Sequence, residues 1–413
     1  MQTQYINEML NLPELRIHQI LSIDTDELHI DAIPLGDKQS CPCCGSDQDV
    51  ILKGRNEPRI VRHLPVFGKK TYLHVPSIRM HCNRCETGFV WAYKFVGPKQ
   101  RYSRLFRSHT VEQALGSTAA HSARMQRVPA STVQRMQEEA IPAEQERIRE
   151  QAWKEAAASD RLVLGVDDCA IKKGHTYNTG IHNLRGETML DVISGRKLDD
   201  LRAYALQHPD FRQLSPYAVV MDLAPAYHTW ISECFPDAIR IADRFHVHGH
   251  VIESLQAVRK TVQSTLSPRA KALLKSQHRL LNPPKDTLTE EGQKRLEILL
   301  GYSLLLRSVW EWKEAFSVWY DNSPNHAVAL LGFDRWCRQG DQIDHVAVRA
   351  TLKTMRHWKD AIVNYHRCRF TNATVEGRHN RIKAYQRRHY FTRNRSRYIA
   401  GILIECNRHR LLD

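Results

Sequence analysis

Between residues 161 and 245 the chain alternates short apolar runs with polar, turn-forming stretches. Two of those runs end in an aspartate: Leu162-Val-Leu-Gly-Val-Asp167 and Tyr217-Ala-Val-Val-Met-Asp222. Such runs, rich in Val, Leu and Met and bounded by polar residues, read as strands buried on both faces. Residues 176–183 and 187–193 read as two further strands, joined by a hairpin turn at Leu184-Arg-Gly186. A helix follows over 199–207, then the 217–221 strand, a helix over 225–234 and a strand over 238–242. This pattern limits the region to one mixed sheet: three strands in a meander, then strands reached through helices.

That order is the order of the RNase H-like fold, in which one acid sits on the first strand and a second ends the fourth. Asp167 and Asp222 occupy those places. A third acid is expected from a later helix packed beside the first strand. The segment Asn372-Ala-Thr-Val-Glu376-Gly-Arg-His-Asn-Arg-Ile-Lys383 puts Glu376 at the start of a strongly basic helix. Within it Val375, His379 and Ile382 share one face, and Glu376, Asn380 and Lys383 share an adjacent one. The 153 residues between Asp222 and Glu376 leave room for an insertion, and 246–370 is almost entirely helical in pattern. Taken singly, a strand-terminal aspartate is more often a cap or turn residue. Glu376 alone is equally a first-turn acid that favours the helix dipole. Three acids in this order point instead to divalent metal chemistry on phosphates.

Charge points the same way. The net charge of +15 is clustered: residues 51–107 hold thirteen Lys and Arg against two Glu, and 377–404 hold eight with no Asp or Glu. Two separate basic regions suit an extended polyanion, so a nucleic acid is the expected partner, with solvated charged faces as the other reading. The longest apolar stretch, 298–306, is nine residues, about half a membrane span. The N-terminus carries no basic, apolar leader pattern. The expected location is the cytoplasm.

Four of the ten cysteines form two CxxC knuckles, Cys41/Cys44 and Cys82/Cys85, with 37 residues between them. Two such turns supply a tetrahedral set of thiolates, so structural zinc is expected rather than four incidental core cysteines. Cys43 is an alternative ligand, and His63, His74 and His81 are weaker ones. Downstream, 105–115, 117–126 and 130–140 read as three short helices, with Arg127-Val-Pro129 as the last turn. Thr132, Gln134 and Arg135 then stand near the start of the third helix, where they suit base edges in a major groove. Solvated structural helices are the other reading. Ile141-Pro142 is expected to interrupt the helical run, and 143–158 reads as a connecting helix.

The chain resembles the DDE transposases of bacterial insertion sequences, closest to the ISL-three family. The resemblance rests on Gly165-Val-Asp-Asp-Cys-Ala-Ile-Lys-Lys-Gly-His-Thr-Tyr177, Asp222-Leu-Ala-Pro-Ala-Tyr227, Ala242-Asp-Arg-Phe-His-Val247 and Ala373-Thr-Val-Glu-Gly-Arg-His-Asn-Arg-Ile-Lys383. It covers nearly the whole chain, including the zinc module and the helix-turn-helix. Cys169 stands where the family usually has an aromatic, and Asp168 where Glu is common. Asp168 lies one register from Asp167, and the resemblance places the family's acid at Asp167.

The resemblance implies that Asp167, Asp222 and Glu376 hold two Mg²⁺ (or Mn²⁺) ions about 3.5–4 Å apart. It implies cleavage at terminal inverted repeats and joining to target DNA, by a homodimer or higher homo-oligomer. Arg378, Arg381, Lys383, Arg387 and Arg388 would hold phosphates. Asp243 and His246 read either as active-site support or as a buried, hydrogen-bonded pair, and His175 is equally open. Trp310, Trp312 and Trp319 read as core. The expected fold class is multidomain α+β. It comprises a zinc ribbon-like module (1–100), a helix-turn-helix region and linker helix (101–158) and an RNase H-like core in two parts (159–245 and 366–413). A helical insertion (246–365) interrupts that core. Two rival readings are a catalytically inactive zinc DNA-binding regulator of transposase descent, and an RNase H-like nuclease without strand transfer.

Overall fold

A computed structural model describes residues 8, 10, 12–172, 176–389 and 394–407; for 170–172, 176 and 376 it describes the backbone alone. Two compact units divide the chain, Met1–Pro142 and Ala143–Asp413.

The first unit carries β1 (Leu15–Ile23), β2 (Glu27–Pro34), β3 (Val50–Val66), β4 (Lys69–Cys82) and β5 (Thr87–Val90), in the order β1-β2-β4-β3 with β5 on β4. Two of the strands are long: β3 has 17 residues and β4 has 14. Bulges at three register shifts let this long hairpin twist without ending. Phe67 and Gly68 close it with φ of 49° and 77°, the positive values a two-residue hairpin turn needs. Val61, Leu73 and Val75 pack with Tyr93 and Phe95 in one core, while Val50, Ile78 and Met80 close a smaller one around Cys41 and Cys82.

Three helices follow: α1 (Arg104–Gly116), α2 (Ala119–Gln126) and α3 (Ala130–Ala157). Ser103 and Thr118 cap the first two by accepting from Phe106 N and His121 N, both at 3.1 Å. Contrary to expectation, Pro142 does not interrupt α3. Proline removes one helical hydrogen bond, but Pro142 is exposed, so water can solvate the carbonyl left over.

The second unit is built on β6 (Val163–Lys172), β7 (Thr176–Asn183), β8 (Thr188–Ser194), β9 (Ala218–Met221) and β10 (Ile239–Ala242), in the order β10-β9-β6-β7-β8. Strands β6, β7 and β8 are antiparallel, whereas β6, β9 and β10 are parallel. The connecting helices are α4 (Leu198–Gln207), α5 (Pro209–Gln213) and α6 (Pro225–Cys234). Then come α7 (Arg244–Thr265), α8 (Pro268–Ser276), α9 (Glu290–Leu300), α10 (Leu304–Asn322), α11 (His326–Asp341), α12 (Val346–His357) and α13 (Lys359–Cys368). Two last helices, α14 (Ala373–Arg388) and α15 (Arg395–Cys406), return to the sheet.

Strand parity sorts the side chains of β6. Leu162, Leu164 and Val166 pack with α4, α5 and α6 on one face. Val163 and Cys169 point the other way, toward the helical region and the α14–α15 pair. The helices α7–α13 have no core of their own: one cluster runs from Val163, Val220 and Ile241 through Leu255, Phe316 and Trp336 to Val375. Trp310 and Trp312 are buried in it, and Trp319 packs against it. Trp312 and Trp336 stack at 4.5 Å, each indole donating to the other's carbonyl. Among the described residues no helix is long and apolar enough to cross a membrane.

Gly165 lets α14 approach β6. A Cβ there would lie 2.7 Å from Leu184 Cδ2 and 2.9 Å from Asn372 Oδ1, both on buried residues. Gly165→Ala is expected to cost about 1–3 kcal/mol by overpacking, read as a lower urea midpoint. An unchanged midpoint would show that this contact is loose.

Candidate functional site

Two polar clusters stand out. In the first unit the sulfurs of Cys41, Cys44, Cys82 and Cys85 all lie within 4.8 Å of one another. Cys41 and Cys85 are 3.5 Å apart and Cys44 and Cys82 3.6 Å. A tetrahedron with bonds of about 2.3 Å requires edges near 3.8 Å, so the set fits a zinc ion. Cys43 is outside this group. The three histidines considered as ligands have other partners: His63 bonds Ser103 Oγ at 2.8 Å, His74 bonds His29 at 2.9 Å, and His81 is outside the group.

In the second unit the parallel ladders between three neighbouring strands end at one level. The last paired residues are Val166↔Met221 and Ala242↔Met221. The next residue on each strand is an aspartate: Asp167, Asp222 and Asp243. This edge, where parallel strands end, is the usual crevice of an open α/β sheet. Asp167 does not end its strand as the apolar run suggests. The antiparallel ladder to β7 continues past it, pairing Asp167 with Gly180 and Asp168 with Thr179.

Asp167 and Asp168 face opposite sides. Asp167 lies on the α14 face and gathers with Asp222 and His246, their ligand atoms all within 4.8 Å of one another. Asp168 turns toward α6, where Arg196 Nη1 donates to it at 2.6 Å and the Tyr227 hydroxyl donates as well. Asp168 is therefore held by two protein donors on the face away from the acid cluster.

Two candidates for site support separate. His246, 41% exposed in the first turn of α7, places Nε2 2.9 Å from Asp222 Oδ1. Asp243 is buried, and its Oδ1 accepts from Asn372 N at 3.2 Å. It thus joins the start of α7 to the start of α14 instead of entering the cluster. Burial, with the Asp222 charge adding to it, pushes the Asp167 carboxyl up to about 8. The hydrogen bond to Asp222 pushes the His246 imidazole up to about 9. Two neighbouring carboxylates, with the His246 ring on the outer side of Asp222, offer the oxygen ligands that a hard divalent cation prefers.

The remaining positions are mixed. Glu376 lies in the first turn of α14, and its side chain is outside the described residues, as is His175. Arg378 is corrected: it is 4% exposed, with Nη1 3.3 Å from His182 Nδ1, so it is a buried tie between α14 and β7 and not a surface phosphate contact. Arg388 is paired with Glu405 at 2.7 Å. Arg381, Lys383 and Arg387 are exposed. Thr132 is also corrected: at 8% exposure it packs inward from α3, whereas Gln134 and Arg135 face solvent. His379, which shares a helix face with Val375 and Ile382, places its Nδ1 3.7 Å from Asp167 Oδ2. Arg196 and Tyr227, which hold Asp168, were not anticipated.

Comparison with known proteins gives two family matches. The model of the ISL3 group of DDE proteins, described as a transposase, matches residues 164–402. The zinc-finger of transposase IS204/IS1001/IS1096/IS1165 matches residues 37–85. Over 348 residues the chain is 26% identical to the transposase for insertion sequence element IS1001 of Bordetella parapertussis, covering 83% of each chain.

The raised proton affinities set a pH dependence. Asp167 moves from 3.8 to about 8, so the folded, metal-free state holds its proton more tightly and loses stability as pH rises between those values. His246 moves from 6.5 to about 9, so its contribution is complete below 6.5 and lost as pH rises through 9. Both act in one direction. In zinc-loaded protein without added Mg²⁺ or Mn²⁺, melting temperature should fall from pH 5 to pH 9, and Asp167→Asn should melt several degrees above wild type at pH 8 and by less at pH 5. An equal difference at both pH values would contradict the assignment of strain to Asp167.

Proposed function

Because the chain belongs to the ISL3 family of DDE transposases, we propose that it binds the terminal inverted repeats of an insertion sequence, cleaves the DNA ends and joins the 3′-hydroxyls to target DNA by two-metal phosphoryl transfer. The observation that carries this reading is the placement of Asp167 beside Asp222 and His246 at the carboxyl edge of adjacent parallel strands, on the face packed by α14. The strand order β10-β9-β6-β7-β8 supports an RNase H-like core. The capped helices α1 and α2, followed by α3 with Gln134 and Arg135 exposed, support a helix-turn-helix.

Asp167, Asp222 and Glu376 are the proposed Mg²⁺ (or Mn²⁺) ligands. Divalent ions bound there supply activation of the attacking oxygen and stabilisation of the leaving 3′-oxygen. His246 orients Asp222 across their 2.9 Å contact. Asp168, held by Arg196 and Tyr227, fixes the opposite face of β6. The exposed Arg381, Lys383 and Arg387 on α14 attract DNA phosphates. In cleavage a water oxygen bonds to phosphorus as the 3′-oxygen leaves. In joining, that 3′-hydroxyl attacks a target phosphate in the same way, so no covalent protein intermediate forms.

The proposed domains are a zinc module (1–100), a DNA-binding region with its linker helix (101–158) and a catalytic core (159–245 and 366–413) interrupted by helices (246–365). Structural zinc at the four cysteines, a homodimer or larger assembly, and a cytoplasmic, nucleoid-associated location complete the reading.

The test uses linear DNA bearing the element's ends, a supercoiled target and Mg²⁺. Wild type should give joined products. Asp222→Ala and Glu376→Ala should each lose cleavage by ~100-fold or more while still binding the ends. Full cleavage by both variants would refute the site, and cleavage without joining would reduce the protein to a nuclease.

A further inference from the structure

The acid cluster makes no use of the basic excess in residues 51–107, thirteen Lys and Arg against two Glu. Part of that charge lines a cleft of about 600 Å³ in the first unit, between β3, the loop 97–102 and the α2–α3 turn.

Arg62 lines this cleft. It is 6% exposed, and its Nη2 donates to Gln126 O at 3.0 Å. Its guanidinium sits 5.5 Å and 5.3 Å from the ring centroids of Tyr72 and Phe106. The buried Nε has no acceptor among the described residues. A guanidinium N–H taken out of water without an acceptor is costly, and an anionic oxygen is its best partner.

The walls add free charge. Lys99 and Arg101 line the cleft, and neither side chain has an ion-pair partner among the described residues. Their loop is held in place by Arg59, whose Nη2 donates to Gly97 O at 2.6 Å and also to Gln100 O. Lys99 itself sits at φ 54°, a left-handed conformation that a lysine adopts only where its surroundings impose it. At the rim, exposed Arg127 pairs with exposed Asp26 at 3.2 Å, a contact weak enough to exchange for a phosphate.

The geometry points to a phosphate-binding cleft that holds the backbone of duplex DNA, with Arg62 as the buried positive charge in its wall and Lys99, Arg101 and Arg127 as the exposed donors around it. The inference rests on the reading of DNA as this protein's partner and adds where the backbone is gripped. Pro129, which ends the cleft, directly precedes α3. A phosphate fixed here therefore sets the register of exposed Gln134 and Arg135 against the bases.

The test uses the full chain, zinc-loaded and without added divalent ion. It measures affinity for two short labelled duplexes, one bearing the element's end and one of arbitrary sequence, across a KCl series. Lys99→Ala/Arg101→Ala changes exposed loop positions, and its zinc content and melting temperature should match wild type. Both duplexes should weaken alike, roughly tenfold, and the slope of log Kd against log[KCl] should fall by about 2. Arg62→Lys keeps the charge but loses the planar guanidinium that reaches Gln126 O, so it should weaken binding with little change in slope. Equal affinity and slope in the double variant would overturn the cleft. Weakening of the end-bearing duplex alone would also overturn it, because the loop would then read bases. If inorganic phosphate at matched ionic strength stabilises wild type while duplex affinity is unaltered by the variants, the cleft holds a free anion and the DNA assignment falls. Failure of wild type to bind either duplex would instead remove the DNA reading itself.

Discussion

The parallel register of β6, β9 and β10 is the constraint on which the second unit depends. Val166, Met221 and Ala242 end the paired ladders together, so the next residue of each strand, an aspartate, is delivered to one edge. The three do not remain equivalent. Asp243 turns to the backbone of Asn372 and ties two helix starts together. Asp222 meets His246, and Asp167 is left largely desolvated beside it with its carboxyl pushed up to about 8. A metal-free protein thus carries electrostatic strain at one point of an otherwise well-packed sheet, and a divalent cation is the chemically natural relief.

The packing around this edge explains why the chain carries so many residues between Asp222 and Glu376. The helices from α7 to α13 share one core with β9 and β10 and end against Val375. They are a continuation of the sheet's packing that leads the chain back to β6. Gly165 and the buried pair Arg378–His182 then let α14 lie close to that strand. In the first unit the zinc cluster plays the comparable part, closing a core too small to hold the end of a long hairpin by apolar burial alone.

Much of this was legible in the sequence. Strands β7, β9 and β10 and helix α6 stand within a residue of where apolar runs, turn residues and the Pro225 helix start place them. The paired CxxC spacing yielded the cysteine cluster. What was misread depends on which way a side chain points. Arg378 falls three residues after Val375 and four before Ile382, so it lies on the buried stripe of α14 despite its charge. Thr132 precedes buried Val133 and lies four residues before buried Met136, on the packed side of α3. Strand parity also held the answer for Asp167 and Asp168, because Gly165 marks the face a helix approaches. A run of residues buried on both faces hides that parity, since both alternating sets are apolar. The His246–Asp222 contact had no local signal, because it arises only when β10 hands over to α7 beside β9.

The central claim is that Asp167, and not its neighbour, shares a divalent ion with Asp222. Mn²⁺ binding, followed by electron paramagnetic resonance on wild type, Asp167→Asn and Asp168→Asn, tests it most directly. The account predicts that Asp167→Asn loses binding by ~10-fold or more while Asp168→Asn, whose carboxylate is held by Arg196 and Tyr227, keeps near wild-type affinity. Loss of Mn²⁺ in Asp168→Asn with retention in Asp167→Asn would contradict it.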